Sequence, residues 1–338
     1  MDVTTVAAVW PISSASQIEP LQGGINNRTF RVVAEVGGEA SDYILRLYPA
    51  TASPQSVAFE TAVLSALAPI NLPFGLPRPI PARNGEVAPR VPTGNGEALA
   101  LLVPVLPGRF TEPSSPLQAE SAGAALGMLH RALAGVTVPV APRPTYGELG
   151  QIDPHFPDPR RAPDWAPVNE EERVRLGQLV EEVLTQREHW YSTLPQQIIH
   201  GDYVPYNLLL EGNQITAVLD FELANRDLRA LDFTMGLWAW LNWKGNLNWA
   251  FGEAFVRGYR AHIALTEAEI QAIPSLLRLR KAATLVWWAA RQSRGAAAEG
   301  IMEWAAKSAL EAEAWIEANG ADLVERLWQV SERLTGLA

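Results

Sequence analysis

HGDYVPYN, at positions 200–207, is followed by LDFE at 219–222, and apolar residues fill much of the chain between them. Two short apolar runs flank the residues EGN in this interval and predict a small β-hairpin. Because such a hairpin returns the chain, we expect Asn207 and Asp220 to lie near each other at its open end. Oxygen ligands of this kind suit Mg²⁺, a hard cation that takes few carboxylates and completes its shell with phosphate and water.

Asp202 precedes the hairpin on a loop, where its carboxylate is suited to accept a proton from a hydroxyl nucleophile. With Asn207 and Asp220 it supplies the parts of a phosphoryl-transfer site. Each residue taken alone has a simpler interpretation, since Asp and Asn in loops usually form turns or cap helices. His200 fits the role of a structural histidine, which hydrogen-bonds the loop, better than it fits the role of an acid or base. The coincidence of both spacings with the flanking strands QQII and AVLD favours phosphoryl transfer.

The composition limits the classes of function that the chain can have. At 338 residues it is long for one core, so we expect two domains. The 27 Lys and Arg against 37 Asp and Glu give a formal net charge of −10, which argues against nucleic-acid and membrane partners. The absence of cysteine excludes disulfides and thiol catalysis. With no basic N-terminal segment and no run of about 18 apolar residues, a cytoplasmic protein is expected.

The first hundred residues read as strands with one helix among them. TFRVVAEV (29–36) and DYILRLY (42–48) are rich in β-branched and aromatic residues and flank turn residues, which predicts a hairpin. A helix is predicted over 53–68, where a serine precedes a proline and apolar residues recur at helical spacing. EALALLVPVLPG (97–108) predicts a strand that breaks at its prolines. We therefore place an N-terminal lobe over 1–106.

The remainder of the chain, 107–338, is predicted to be mainly helical. Helices are expected over 116–134 and about 169–192, and at least four more over 229–335. The proline-rich stretch between the first two predicts a surface insertion or a partly ordered loop. A small strand-rich half followed by a larger helical half is an α+β architecture.

HGDYVPYN followed by LDFE resembles the catalytic loop and metal-binding motif of the aminoglycoside phosphotransferase superfamily, which includes choline, ethanolamine and type II homoserine kinases. The resemblance implies a bilobal protein-kinase-like fold, with a small antiparallel-sheet N-lobe that binds nucleotide and a larger, mostly helical C-lobe. It also implies ATP and Mg²⁺ as cofactors. By the same resemblance Asp202 is the catalytic base, and Asn207 and Asp220 are the Mg²⁺ ligands.

Three further stretches are similar to the nucleotide-binding parts of that family. LQGGINNRTFRV (21–32) resembles its first hairpin, where Gly23 and Gly24 would let backbone N–H groups approach the phosphates, although a plain turn explains them too. Arg46 stands where many relatives carry a lysine that contacts the α- and β-phosphates. Glu60 fits the glutamate that pairs with this cation, or is a solvated helix charge.

The segment ALLVPVLPG resembles the hinge that binds adenine, where Pro104 would offer its carbonyl and Leu106 its N–H group. LGMLHRAL resembles the first helix of the large lobe, with His130 in a structural role. Asp232, in ALDFTMGLW, matches a family aspartate that braces the catalytic region.

Further stretches of the sequence bear on the identity of the acceptor. GGINNRTFRV, the prolines before Trp165 and DFELANRDLRALDF resemble type II homoserine kinases and imply an ATP-dependent kinase of a homoserine-like amino alcohol. Glu222 and Asp227 are then candidates to face a substrate ammonium, or are surface or capping groups. Nine of the 12 tryptophans lie within 238–328 and either wall a cation pocket or pack internally. Choline, ethanolamine or aminoglycoside acceptors, and a non-catalytic nucleotide-binding pseudokinase module, are the alternatives.

Overall fold

The computed structural model describes most of the chain, namely residues 5, 8–12, 14–21, 27–36, 39–94, 96–110 and 112–335. The chain forms two compact units. Unit 1 comprises Met1–Thr111, Gly135–Pro142 and Tyr206–Ala224, and unit 2 comprises Glu112–Ala134, Arg143–Pro205 and Asn225–Ala338. Among the described residues, no helix combines the length and the apolar character that crossing a membrane requires.

The described strands and helices follow the predicted order. The strands are β1 (Ser14–Leu21), β2 (Arg28–Val36), β3 (Glu39–Leu47), β4 (Arg90–Thr93), β5 (Gly96–Pro104), β6 (Arg109–Phe110), β7 (Gln196–Ile199), β8 (Leu208–Glu211), β9 (Gln214–Val218), β10 (Asn225–Leu228), β11 (Asn242–Trp243) and β12 (Asn246–Leu247). The helices are α1 (Pro54–Leu67), α2 (Pro116–Ala134), α3 (Glu170–Thr193), α4 (Arg229–Leu241), α5 (Trp249–Arg260), α6 (Glu267–Gln292) and α7 (Ile301–Thr335).

Unit 1 is built on a five-stranded antiparallel sheet with the order β1-β2-β3-β5-β4. Alternate residues of β3 are buried, as the period of two along a strand requires; they are Tyr43, Leu45 and Leu47. Arg46 therefore lies on the opposite face of the sheet. The hairpin of β2 and β3 confirms the sequence prediction.

Helix α1 begins where its sequence indicates. The Ser53 side chain accepts a hydrogen bond from the Ser56 N–H group, and Pro54 occupies the first helical turn, where its missing N–H group is not needed. Glu60 lies on the buried side of this helix, with 2% of its surface exposed. An acidic side chain in that position needs polar partners.

Unit 2 consists mainly of helices, with a short antiparallel pair of β7 and β10. Helices α2 and α5 approach closely because both carry glycine at the crossing. A Cβ atom on Gly123 would lie 1.9 Å from the Phe255 carbonyl oxygen, and one on Gly258 would lie 1.9 Å from that of Glu120. Larger residues would force the two helices apart.

The proline-rich stretch before α3 differs from its prediction. It contains two 3-10 turns, Leu149–Gln151 and Pro159–Trp165, and it contributes the buried residues Leu149, Phe156 and Ala162 to the core of unit 2. Short 3-10 turns tolerate proline because few of their N–H groups are bonded within the turn. The stretch is therefore a packed part of unit 2.

Several of the clustered tryptophans of unit 2 pack against one another. The rings of Trp238 and Trp315 lie 5.0 Å apart, and those of Trp249 and Trp315 lie 6.0 Å apart. For these three residues the structure supports internal packing.

Candidate active site

The predicted hairpin is present in unit 1 and carries two of the candidate metal ligands at its open end. Strands β8 and β9 pair with Leu208 opposite Val218, and the Leu219 N–H group donates to the Asn207 carbonyl oxygen at 2.8 Å. Asn207 and Asp220 therefore flank the same end of the hairpin, as the sequence predicts. Their role as Mg²⁺ ligands stays a prediction.

Asp220 has two unusual properties. Its backbone is left-handed, with φ 60° and ψ 72°, a region that side-chain-bearing residues enter rarely. Its Oδ1 atom is buried without a hydrogen-bond partner. Arg46 Nη1 lies 3.2 Å from this oxygen, an ion-pair distance, but lacks the alignment of a hydrogen bond. Backbone strain and an unsatisfied buried acceptor are typical of functional sites.

Arg46 and Glu60 form the ion pair that their positions on strand and helix predict. Arg46 Nη1 donates to Glu60 Oε1 at 2.9 Å, and the Tyr48 hydroxyl donates to Glu60 Oε2 at 2.8 Å. Burial raises the pKa of Glu60 to about 7. The nearby carboxylates Asp220 and Glu222 add to this rise, and the Arg46 contact opposes it. One guanidinium thus faces three carboxylates, which leaves this part of unit 1 with an excess of negative charge.

Glu222 is held within the same part of unit 1. Asn27 Nδ2 donates to Glu222 Oε2 at 2.6 Å, whereas the Asn27 Oδ1 atom is buried without a partner. Among the described residues of unit 1, two buried acceptor oxygens, on Asn27 and Asp220, therefore lack a hydrogen bond. No group of three or more His, Cys, Asp or Glu side chains arranged to hold a metal occurs among the residues that the structure describes.

The other predicted nucleotide contacts are Gly23, Gly24, Pro104 and Leu106. Gly23 and Gly24 fall outside the described residues. Pro104 is the last residue of β5, and the Val105 N–H group after it donates to the Asp42 carbonyl oxygen at 2.9 Å. Within the described part of the chain the Leu106 N–H group has no hydrogen-bond partner. A role for Pro104 and Leu106 in adenine binding stays a prediction.

In unit 2 the loop that contains Asp202 is fixed by a buried carboxylate. Asp232 is fully buried and accepts hydrogen bonds from the N–H groups of His200 and Gly201 at 2.8 and 2.9 Å. It also contacts His130 Nε2 at 3.0 Å. His200 is likewise buried, and its Nδ1 atom accepts from the Asp202 N–H group at 3.2 Å. The structural roles predicted for both histidines and the bracing role of Asp232 agree with these contacts.

Asp232→Ala should destabilise the protein by about 3–5 kcal/mol, since it leaves buried donors without an acceptor. Burial raises the pKa of Asp232, but the hydrogen bond from His130 and the attraction of both histidines outweigh it and lower the pKa overall. Because the pKa of Asp232 is lower in the folded protein, its ionised carboxylate should stabilise the fold above a pH of about 4, near the ordinary aspartate pKa. This contribution to the free energy of unfolding should be lost as the pH falls further and the carboxylate is protonated. Urea unfolding at several pH values measures this. Asp322→Ala, which removes the exposed pair with Arg326, is the control and should change little.

Asp202 has a partner that the sequence analysis did not identify. Arg280 Nη2, on α6, donates to Asp202 Oδ1 at 3.2 Å. The Arg280 guanidinium lies over the ring of Tyr146, 5.1 Å from its centre, and the Tyr146 hydroxyl donates to the Gly201 carbonyl oxygen at 2.9 Å. Since 78 positions separate Asp202 from Arg280, no local motif joins them.

Asp227 occupies an internal position in unit 2. Its carboxylate is fully buried and accepts from the Tyr191 hydroxyl at 2.6 Å and from the N–H groups of Tyr146 and Leu228 at 2.8 and 2.7 Å. Burial raises its pKa to about 6, and these hydrogen bonds oppose the rise. The carboxylate therefore has a full set of donors from the chain itself.

Comparison with known proteins by sequence gives one family and several relatives. The sequence model described as the phosphotransferase enzyme family matches residues 17–272. The chain is 30% identical to the homoserine kinase of Granulibacter bethesdensis over 276 residues, which cover 80% of this chain and 79% of that protein. It is 27% identical to the homoserine kinase of Zymomonas mobilis over 286 residues, which cover 80% of each.

Comparison by structure gives neighbours of the predicted kind. A microcompartment-associated aminopropanol kinase has a TM-score of 0.68 at 20% identity and covers 96% of this chain and 98% of its own. An amicoumacin kinase, solved with AMP-PNP and Ca²⁺, has a TM-score of 0.67 at 16% identity, with coverages of 92% and 91%. At these identities the likeness concerns the fold. It confirms the predicted α+β bilobal protein-kinase-like fold, and the family match confirms the resemblance stated from the sequence.

Proposed function

Since the chain belongs to the phosphotransferase enzyme family and transfers a phosphoryl group to an alcohol, we propose that ATP is the donor and a homoserine-like amino alcohol the acceptor. The relatives described above are named homoserine kinases, which supports this acceptor class. In this proposal the lobe 1–106 binds the nucleotide, and the lobe 107–338 carries the catalytic and acceptor-binding groups.

The observation that carries the proposal is the state of Asp220. A carboxylate held in a strained backbone conformation, with one buried oxygen that lies at ion-pair distance from Arg46 but accepts no hydrogen bond, is suited to a cation. The negative charge that Glu60 and Glu222 add around Arg46 supports the same interpretation. A structural aspartate would be expected to have its oxygens paired with donors of the chain.

We assign Asn207 and Asp220 as the residues that would hold Mg²⁺. The residues fit this ion, because it takes one or two protein oxygens and leaves the remaining positions to phosphate and water. A site with so few protein ligands agrees with the lack of a three-residue metal cluster among the described residues. When bound, Mg²⁺ neutralises the charge that develops on the phosphate oxygens during transfer.

Asp202 is the proposed acceptor for the hydroxyl proton. In the transfer step the acceptor oxygen forms a bond to the γ-phosphorus, the bond from that phosphorus to the ADP oxygen breaks, and the hydroxyl proton passes to the Asp202 carboxylate. The braced backbone of His200 and Gly201 supports this role, because a general base must be held within hydrogen-bond reach of its substrate.

Arg46→Ala should weaken MgATP binding about ten- to a hundredfold, because a hydrogen bond to a charged group usually contributes about 1.5–3 kcal/mol. Calorimetry without acceptor measures the dissociation constant directly. Arg31→Ala is a matched control, since Arg31 lies on the neighbouring strand β2 and pairs with Asp42 near the surface. Equal affinities of the two variants for MgATP would show that Arg46 does not bind the nucleotide.

Glu222 and Asp227, the two carboxylates predicted to face an ammonium, have different roles in the proposal. Asp227 already has three internal donors, so we propose that it positions Tyr146 and Tyr191. Glu222 remains the candidate for the ammonium, and its hydrogen bond from Asn27 would orient it. A deaminated acceptor tests this role, because it removes the cation and keeps the hydroxyl.

A coupled ADP-release screen over homoserine, 3-aminopropan-1-ol, ethanolamine, choline, an aminoglycoside and a neutral sugar tests the proposal. We expect the highest kcat/KM with homoserine. Preference for choline or the aminoglycoside would move the chain to another acceptor class of the same family. Equal turnover of the sugar, or of a deaminated form of the best acceptor, would remove the ammonium from the proposal.

A further inference from the structure

Arg280 is the cation in contact with the proposed catalytic base, Asp202. Its guanidinium has more hydrogen-bond donors than that contact uses. We propose that Arg280 binds the carboxylate of the acceptor and thereby selects amino-acid alcohols over simple amino alcohols. This inference rests on the proposed function and deepens it, since that proposal assigns Glu222 to the acceptor ammonium and no residue to the acceptor carboxylate.

The contacts of Arg280 leave part of its guanidinium available. Its Nε atom donates to Met235 Sδ at 3.3 Å, Nη1 to Thr284 Oγ1 at 2.5 Å and Nη2 to Asp202 Oδ1 at 3.2 Å. A guanidinium has five N–H groups. One N–H group on each terminal nitrogen therefore has no partner among the residues that the structure describes. A carboxylate binds such a pair of terminal nitrogens with two parallel hydrogen bonds.

The guanidinium is both restrained and reachable. The Arg280 side chain is 19% exposed and the Asp202 side chain is 31% exposed, so part of the pair faces solvent. The ring of Tyr146 covers one guanidinium face at 5.1 Å. Burial lowers the pKa of Arg280, but Tyr146 and Asp202 outweigh this effect and raise it. The group is therefore a permanent cation whose orientation is set before a ligand arrives.

Helix α6 is anchored at two points that precede Arg280 along the chain. At its start Thr266 and Glu269 form a capping box, and Arg229 binds Glu269 through two hydrogen bonds of 3.0 and 2.6 Å. Further along, Arg278 binds Glu313 of α7 through two hydrogen bonds of 2.8 Å. Anchoring of this kind reduces the entropy lost when a ligand binds, which favours a recognition role.

The position of Arg280 fits an acceptor with a short chain. The reacting hydroxyl must lie against Asp202, and the same guanidinium that contacts Asp202 would receive the far end of the acceptor. In homoserine only a short carbon chain separates the hydroxyl from the carboxylate. A carboxylate acceptor also supplies the negative charge that Arg280 needs when Asp202 takes up the hydroxyl proton.

The test compares homoserine with 3-aminopropan-1-ol, which is homoserine without its carboxylate. Wild-type protein should favour homoserine in kcat/KM by about a hundredfold, the effect expected of a paired charge and its hydrogen bonds. In Arg280→Gln this preference should fall to within about tenfold, because the remaining amide cannot form the charged fork. Arg278→Gln removes an arginine of similar exposure from the same helix and should retain the preference.

The outcomes are distinct. Equal losses for both acceptors in Arg280→Gln would show that Arg280 only positions Asp202, and a wild-type protein without preference for homoserine would overturn carboxylate recognition while leaving the kinase activity in place. The ratio of kcat/KM for homoserine to that for 3-aminopropan-1-ol in the wild-type protein tests the proposal without any variant. The proposal therefore stays testable even if Arg280→Gln does not fold. Turnover of neither amino alcohol, with turnover of another acceptor, would instead reject the acceptor class proposed above and this inference with it.

Discussion

Asp202→Asn is expected to lower kcat by about 10²- to 10⁴-fold, the usual contribution of a positioned general base. Asparagine keeps the shape of the side chain and can still accept a hydrogen bond, but it does not take up the hydroxyl proton. The contact with Arg280 should persist in weakened form, because the amide oxygen remains an acceptor. The loss should therefore appear in the chemical step, measured by single-turnover phosphoryl transfer to homoserine.

MgATP binding is the control for this variant. Asp202 is not among the residues proposed to bind the nucleotide or the metal, namely Arg46, Asn207 and Asp220, so the dissociation constant from calorimetry should stay within about threefold of wild type. Wild-type turnover in Asp202→Asn would reject the base assignment. A parallel loss of nucleotide affinity would mean that the substitution disturbs the fold around the loop.

The parts of the site that depend on near neighbours in sequence are predictable. The hairpin of β8 and β9 follows from two apolar runs around EGN, and its pairing alone brings Asn207 and Asp220 to one end. The start of α1 follows from Ser53 and Pro54, and the helix reaches Glu60 about two turns later. These features arise from turn chemistry and periodicity within a few residues, which is the information that a single sequence contains.

The contacts that tertiary packing sets are not predictable in this way. Arg278 and Arg280 stand in the same helical pattern, yet one binds Glu313 and the other Asp202, because the partner of each depends on which part of the fold packs against that side of α6. The short polar strand β10 has no apolar alternation to indicate its inner face. Its pairing with β7 exposes Arg226 and buries Asp227, and the sequence analysis considered Asp227 only as a ligand, surface or capping group.

Asp220→Ala is expected to weaken MgATP binding by at least about a hundredfold, whereas Asn207→Ala should weaken it less. Groups that merely orient metal ligands usually contribute ten- to a hundredfold in metal affinity, so the loss of a charged ligand should reach the upper end or more. A neutral amide contributes less to a hard cation than a carboxylate does. Calorimetry with ATP, in the presence of Mg²⁺ and of a chelator, separates the metal-dependent part of the affinity.

The left-handed backbone of Asp220 requires a matched variant. Alanine is disfavoured at φ 60°, so part of the effect of Asp220→Ala would come from the cost of holding alanine in the left-handed conformation. Asparagine enters this region more readily, and Asp220→Asn removes the charge while retaining the backbone and one carbonyl oxygen. If the metal interpretation is correct, Asp220→Asn should lose Mg²⁺-dependent affinity and keep the affinity for ATP in the chelator. Retention of Mg²⁺-dependent binding in Asp220→Asn, with its loss in Asp220→Ala, would reject the role of Asp220 as a charged ligand and assign the effect of alanine to the backbone or to the lost oxygen.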